Sequence, residues 1–82
     1  MAKLNVSIKS IEKDLYDGQA DIVVMRTPSG DVGIMANHVP LVAALFKSDV
    51  KIKHSGEEFL FKITEGIAEV LNNKLSIIEF SR

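Results

Sequence analysis

The sequence predicts an all-β protein, either a sandwich or a barrel. Apolar and polar residues alternate along several short segments, as they do in strands that bury one face. Turn-forming residues interrupt these segments at short intervals, and no segment shows a convincing helical pattern. The 82 residues suffice for one small domain, residues 1–82, and their hydrophobic content of 46% is ample for a core.

Three strands are predicted in the first 27 residues. Residues 4–9 alternate between apolar and polar side chains, which indicates one buried face. A polar turn separates them from a short strand, residues 15–18, that ends at a glycine. Within residues 20–27, Ile22–Met25 is apolar on both faces and rich in β-branched residues, which favours a central strand covered on both sides. Turn residues 28–31 follow.

The next segment combines a strand with two backbone signals. Gly33, inside a strand predicted over residues 32–35, indicates a bulge or the close approach of another backbone. Asn37 tolerates the left-handed conformation and suits a tight turn, and Pro40 forces the residue before it into an extended conformation. Residues 41–46 are too few for a stable helix, so we interpret them as a strand or a single turn.

The remaining strands are separated by turn residues. They are predicted over residues 50–54, 59–64, 67–71 and 75–80. The first has the charged outward positions typical of an edge strand. Ser55-Gly56-Glu57 and Asn72-Asn73-Lys74 have the composition of hairpin turns, and Glu65-Gly66 that of a turn or bulge.

Composition and motifs argue against catalytic, metal-binding and cofactor-binding classes. The formal net charge of −1 opposes a nucleic-acid footprint, and the absence of cysteine excludes a disulfide framework. The two histidines, His38 and His54, lack the spacing of a metal site. Neither a nucleophile elbow nor a phosphate-binding glycine loop is present. The longest uncharged apolar run, Val39 to Phe46, is too short to span a bilayer.

Two other small β domains remain open on the residues alone. A lipoyl or biotinyl carrier domain needs a lysine at a hairpin tip, and Lys74 lies near such a turn without the expected flanking residues. A nucleic-acid-binding barrel could use Phe59 and Phe61 as stacking platforms, although core positions are the simpler interpretation.

One stretch, residues 30–45, resembles a known family. It is similar to the Gly-x-Leu-Gly-Ile-x-x-Gly-His-x-Pro-Leu-x-x-Ala-Leu motif of the epsilon subunit of bacterial and chloroplast rotary ATP synthases. Val32 stands for the first leucine, and Asn37 stands for the glycine before the histidine and can adopt the same backbone region. The matching residues are Gly30, Gly33, Ile34, His38, Pro40, Leu41, Ala44 and Leu45.

The resemblance covers essentially the whole chain and implies the fold and function of the family's N-terminal domain. The implied fold is a flattened ten-stranded β-sandwich of two five-stranded sheets. The implied function is that of a non-catalytic central-stalk (rotor) subunit without cofactors, which docks the gamma subunit onto the membrane ring and couples H⁺ or Na⁺ translocation to ATP synthesis. The implied location is the cytoplasmic face of the bacterial inner membrane, as a peripheral part of the complex. An interaction module or carrier domain is the alternative.

The resemblance also implies contact residues. Ser10, His38 and Ala43 correspond to positions on the gamma-facing side, and the turn Ser29-Gly30-Asp31 corresponds to the loop that rests on the membrane ring. His38 and Asp31 can equally serve as turn residues that bond the local backbone. Structural roles in the turn are expected for Gly33, Asn37 and Pro40. A chain this small that docks permanently on a partner should expose one apolar patch.

Overall fold

The computed structural model describes residues 2–80 and contains seven strands. They are β1 (Leu4–Ser10), β2 (Asp14–Ala20), β3 (Ile22–Thr27), β4 (Gly30–Ile34), β5 (Leu41–His54), β6 (Glu57–Leu71) and β7 (Lys74–Glu79). The prediction of an all-β protein is therefore confirmed. Within the described residues, no helix is long and apolar enough to cross a membrane.

The seven strands form one continuous sheet in the order β2-β1-β7-β6-β5-β3-β4. Neighbouring strands are antiparallel except β1 and β7, which are parallel. The sheet folds over itself because β5 and β6 are long enough to serve both layers of a compact sandwich. The first layer contains β2, β1, β7 and the paired segments 66–71 and 41–46, and the second contains β3, β4 and the paired segments 48–54 and 57–63.

The expectation of ten strands in two five-stranded sheets differs from this architecture. Segment 41–46, predicted as a strand or a single turn, and segment 50–54, predicted as a strand, are both parts of β5. Segments 59–64 and 67–71, predicted as separate strands, are both parts of β6. The register between β5 and β6 is the same before and after residue 47, where Lys47 adopts a φ of 48°. The chain therefore bends without ending either strand.

Two further local predictions are wrong because β5 and β6 are long, continuous strands in the interior of the sheet. Glu65-Gly66, expected as a turn or bulge, lies inside β6 next to the bend. Residues 50–54, expected at an edge, pair with β3 on one side and with β6 on the other. Their lysines mark the solvent-facing side of a central strand, which has the same alternating pattern as an edge strand.

Most turn predictions are confirmed by backbone geometry. Asn72 and Asn73 have φ values of 50° and 60°, and Ser55 and Gly56 have values of 50° and 82°, as two-residue hairpin loops of type I′ require. Asn37 has a φ of 63°, in the left-handed region. These residues allow the chain to reverse direction within two residues.

The bulge or close backbone approach that was predicted at Gly33 is not found there. Gly33 pairs with Val24 in an unbroken register, and a Cβ atom there would lie in ordinary contact, 3.6 Å from Cδ1 of Ile22. At Gly66, by contrast, a Cβ atom would lie 2.3 Å from the carbonyl oxygen of Ile78. The close approach of two backbones therefore occurs between β6 and β7.

The core lies between the two layers and is made of the inward-facing residues of every strand. On one side of the sandwich, the ring of Tyr16 packs against Phe59 and Phe61, with ring centroids 5.8 and 6.0 Å apart. The two phenylalanines thus contribute to packing between layers. The fully buried apolar residues are Leu4, Val6, Ile8, Ala20, Val23, Met25, Ile34, Leu45, Val50, Ile52, Ile63, Ala68, Val70, Leu75 and Ile77.

Candidate functional site

The outer side of the first layer exposes a group of large apolar side chains. We define this outer apolar face by Val42, Phe46, Ile67, Ile78 and Phe80, whose exposed fractions range from 42% for Ile67 to 69% for Val42. Alternation along the strands explains their exposure, since the residues between them point into the core. This part of the layer therefore carries large apolar side chains on both sides, although only the inner side is covered.

Strand register places these side chains beside one another. Ile67 on β6 is paired directly with Ile78 on β7. Phe46 on β5 is paired with Glu65, whose carbonyl oxygen accepts the N–H of Phe80 at 2.8 Å. Paired residues on one face of a sheet have neighbouring side chains. The apolar residues therefore form one patch that crosses three strands.

The outer side of the second layer carries ion pairs. Lys51 and Lys53 lie 3.8 and 4.0 Å from the carboxylate of Glu58, and Lys62 lies 3.7 Å from Asp49. These exposed pairs contribute little to stability but suit a surface that stays in water. The contrast singles out the outer apolar face as the candidate protein-docking surface.

Ser10 and His38, predicted to face gamma, are both engaged in local hydrogen bonds. The hydroxyl oxygen of Ser10 accepts the N–H groups of Glu12 and Lys13 at 3.2 and 3.1 Å and so closes the connection after β1. The N–H of His38 donates to Met35 at 3.3 Å, and its Nδ1 lies 2.7 Å from the carbonyl oxygen of Val39. Both side chains are half-buried.

Ser10, His38 and Ala43 are not brought together in one place. Ser10 pairs with Glu79 at one end of the first layer, whereas the turn that carries His38 lies at the other end. Ala43 pairs with Ala68 on the inward side of β5, and its neighbour Val42 points outward. The three residues therefore lie at separate places around the same layer.

The turn Ser29-Gly30-Asp31 leads from β3 into β4, whose first two residues are Gly30 and Asp31, and all three residues are exposed. The hydroxyl of Thr27 donates to the carbonyl oxygen of Gly30 at 2.8 Å and accepts the N–H of Ser29 at 3.2 Å. The Asp31 carboxylate lies 3.5 Å from Nε of Arg26. Gly30, with a φ of 118°, gives the turn its geometry.

A groove of about 310 Å³ separates this turn from the first half of β5. Ser29 lines one side of the groove and Ala43 lies on the other. The sequence assigned these two residues to different partners, but the fold places them on one surface depression. Pro40 directly precedes β5, which begins at Leu41.

The residues of the outer apolar face were not singled out from the sequence. The available signal was the almost uncharged segment 41–46, which is apolar on both faces, and the same property of Ile77 and Ile78. In a protein with few layers, a strand that is apolar on both faces indicates either a central position or an uncovered docking surface. The strand order was needed to distinguish the two.

The shifted pKa values lie away from the outer apolar face. The pKa of Asp21 is held below its ordinary value, chiefly by the hydrogen bond from Lys3 and then by the backbone N–H of Ser55. Burial raises the pKa of Tyr16. Among residues 2–80, no group of three histidine, cysteine or acidic side chains is placed to hold a metal ion.

Comparison with known proteins gives a family for this fold. Residues 3–79 match the family described as ATP synthase, Delta/Epsilon chain, beta-sandwich domain. The ATP synthase epsilon chain of Brevibacillus brevis is 38% identical over 79 residues, which cover 95% of this chain and 60% of that relative. The Staphylococcus aureus epsilon chain is 39% identical over 80 residues, with 95% and 59% covered. The chain thus spans somewhat more than half the length of these relatives.

Two solved structures share the fold at low sequence identity. A chain of the Euglena gracilis mitochondrial ATP synthase (OSCP/F1/c-ring) superposes with a TM-score of 0.89 at 18% identity, covering 96% of this chain and 51% of that one. A chain of the Tetrahymena thermophila mitochondrial ATP synthase (central stalk/c-ring) gives a TM-score of 0.78 at 20% identity, covering 98% and 65%. Neither the carrier nor the nucleic-acid alternative receives support from these comparisons.

Proposed function

This chain belongs to the ATP synthase delta/epsilon-chain β-sandwich domain family, and we propose from that premise that it is a non-catalytic part of the central stalk. In this proposal it docks the gamma subunit onto the membrane rotor ring. It thereby couples the translocation of H⁺ or Na⁺ to ATP synthesis. The chain acts as a single domain, residues 1–82, peripheral to the membrane at the cytoplasmic face and attached only through the complex.

The observation that carries the proposal is the outer apolar face. Exposed apolar patches on small soluble domains mark sites where another surface binds. Phe46 and Phe80 are the largest of its side chains, and aromatic residues supply much of the affinity at protein interfaces. Burying them against gamma removes apolar area from water and fixes the domain on the stalk.

The proposed second interface is the exposed turn Ser29-Gly30-Asp31. It extends from the second layer, whereas the outer apolar face belongs to the first. One rigid domain can therefore contact two partners at once. Because both layers share the continuous strands β5 and β6, a force applied at the turn is transmitted through backbone hydrogen bonds to the docking face.

The residues inferred from the family lie at separate places around the first layer, which carries the outer apolar face. His38 sits in the turn that leads into β5, and Ser10 closes the opposite end of the layer. We propose that they contact gamma at the margin of the outer apolar face. Ala43 is proposed to contact gamma where the groove beside β5 opens.

The test is titration calorimetry of this chain with purified cognate gamma subunit. We expect one-to-one binding that Phe46→Ser and Ile78→Ser each weaken at least about tenfold, because each removes a desolvated anchor. Leu60→Ser is the matched control, since Leu60 is 53% exposed on the ion-paired outer side of the second layer. His38→Ala is expected to cause a smaller loss.

Circular dichroism of each variant checks that the fold is kept. Binding that is unchanged in both Phe46→Ser and Ile78→Ser would contradict the proposed face. A failure of the wild-type chain to bind cognate gamma would contradict the proposed function itself.

A further inference from the structure

Two carboxylates lie among the apolar side chains of the outer apolar face. Glu65 is paired with Phe46 on one side, and its carbonyl oxygen accepts the N–H of Phe80 on the other. Glu69 is paired with Val42 and with Ser76. Alternation along β6 places both glutamate side chains on the same side as Ile67, and all three are exposed.

Neither carboxylate has a counter-charge in the part of the chain that the structure describes. No lysine or arginine nitrogen of residues 2–80 lies within 4.0 Å of Glu65 or Glu69. The nearby cation of Lys47 is directed over the ring of Phe46, with Nζ 5.6 Å from the ring centroid. On the ion-paired side of the second layer, by contrast, Asp31, Asp49 and Glu58 all have partners.

The lack of ion-pair partners for Glu65 and Glu69 among the described residues becomes unfavourable when a partner covers the outer apolar face. A carboxylate that loses its water without gaining a cation or hydrogen-bond donors is strongly unfavourable. Glu65 lies between two aromatic residues, so a surface that covers Phe46 and Phe80 also covers Glu65. A partner that is only apolar would therefore bind poorly here, whereas one with cations at these positions would gain charge-assisted hydrogen bonds.

We infer that the partner surface on the outer apolar face is apolar with lysine or arginine side chains placed opposite Glu65 and Glu69. This inference rests on the proposed function and specifies the chemistry of the partner at that site. The two glutamates then set the orientation of the partner, because charge complementarity fixes register more than it adds affinity. The apolar residues supply most of the binding energy, and the two charge pairs add a smaller, salt-dependent part.

The experiment is titration of wild-type and variant chains with cognate gamma subunit at low and at high sodium chloride. The variants are Glu65→Gln, Glu69→Gln, the double variant and Glu69→Lys. Glu57→Gln is the matched control, because Glu57 is exposed at the β5–β6 hairpin, away from this face. We expect the double variant to bind about tenfold more weakly at low salt and to lose most of the salt dependence seen for wild type.

Glu69→Lys tests the effect of charge, because it reverses the charge while keeping a long, unbranched side chain. It is expected to weaken binding more than Glu69→Gln, since it places a cation opposite the partner's cations. If the double variant binds as wild type does at every salt concentration while Phe46→Ser still impairs binding, the inference is overturned and the docking face stands. If the wild-type chain does not bind gamma at all, the proposed function fails and the inference fails with it.

Discussion

The carboxylate of Asp21 accepts the backbone N–H of Ser55 at 2.9 Å across 34 positions of the sequence. Its other oxygen forms an ion pair with Lys3, and the N–H of Asp21 donates to the carbonyl oxygen of Lys53 at 2.8 Å. One side chain thus joins the segment before β1, the start of β3 and the β5–β6 hairpin. The bond from Lys3, and then the bond from the Ser55 N–H, favour the charged carboxylate and hold the pKa of Asp21 below its ordinary value.

Acidification is expected to remove a stabilising contribution of Asp21. Because its pKa is lower in the folded than in the unfolded chain, the contribution is present above the unfolded value of 3.8 and is lost as pH falls through the folded value. Urea unfolding from neutral pH down to acid should show a steeper loss of stability in wild type than in Asp21→Asn. Asp17→Asn, an exposed carboxylate on β2, is the control and should keep the wild-type slope. Equal slopes in all three proteins would refute the role of Asp21.

Gly66→Ala is expected to destabilise the fold by about 2 kcal/mol or more, because an added methyl group that the packing cannot accommodate forces the backbone to shift. The new Cβ atom would lie 2.3 Å from the carbonyl oxygen of Ile78 and 3.2 Å from Cα of Glu79. Denaturant unfolding measures the difference. Gly33→Ala is the matched control in a neighbouring layer, where a Cβ atom meets only Cδ1 of Ile22 at 3.6 Å. It should be neutral or stabilise by up to about 1 kcal/mol, since alanine restricts the unfolded chain.

Asn73→Gly should destabilise the protein by about 1–3 kcal/mol even though glycine accepts the φ of 60°. The Asn73 side chain accepts the N–H of Asn37 at 2.8 Å and donates to the carbonyl oxygen of Lys3 at 2.9 Å. Its loss releases the turn that carries His38, which amide hydrogen exchange of residues 36–39 should detect. Asn72→Gly changes the adjacent residue of the same turn, with a φ of 50°, and should stay within about 0.5 kcal/mol of wild type. Similar stabilities of the two variants would argue against the cross-link.

Asp31→Cys should form a disulfide with a cysteine placed on the polar loops of the membrane ring, if the turn Ser29-Gly30-Asp31 contacts the ring as proposed. The chain contains no cysteine of its own, so the introduced thiol reports one position. Non-reducing electrophoresis of the oxidised, assembled complex detects the product. Glu57→Cys lies at the β5–β6 hairpin, at the other end of the second layer, and should not cross-link. Cross-linking from Glu57→Cys but not from Asp31→Cys would reverse the proposed orientation.

Much of the fold could be predicted from the sequence, because residue types and their spacing determine local structure. Asn37, Asn72 and Asn73 adopt positive φ because asparagine tolerates it, and alternation correctly separates inward from outward residues in most strands. Strand number was misjudged, because nothing local to Lys47 indicates that it takes a φ of 48° while β5 continues through it. Whether a strand bends and still keeps its register depends on the strands that pair with it, and the residues around Lys47 do not specify those strands.

The sequence by itself determined the all-β class, the hairpin turns, the family and the absence of cysteine chemistry, since each depends on the type and spacing of neighbouring residues. Only the tertiary structure decided which apolar residues are core and which are surface. Leu45 and Phe46 are adjacent and both apolar, yet one is buried and the other is 62% exposed. The order of the strands brings Phe46, Ile67 and Ile78 onto the outer side of one layer, where no element of the described chain covers them. A docking face is thus a property of the assembled sheet, because burial depends on what lies opposite a residue in space.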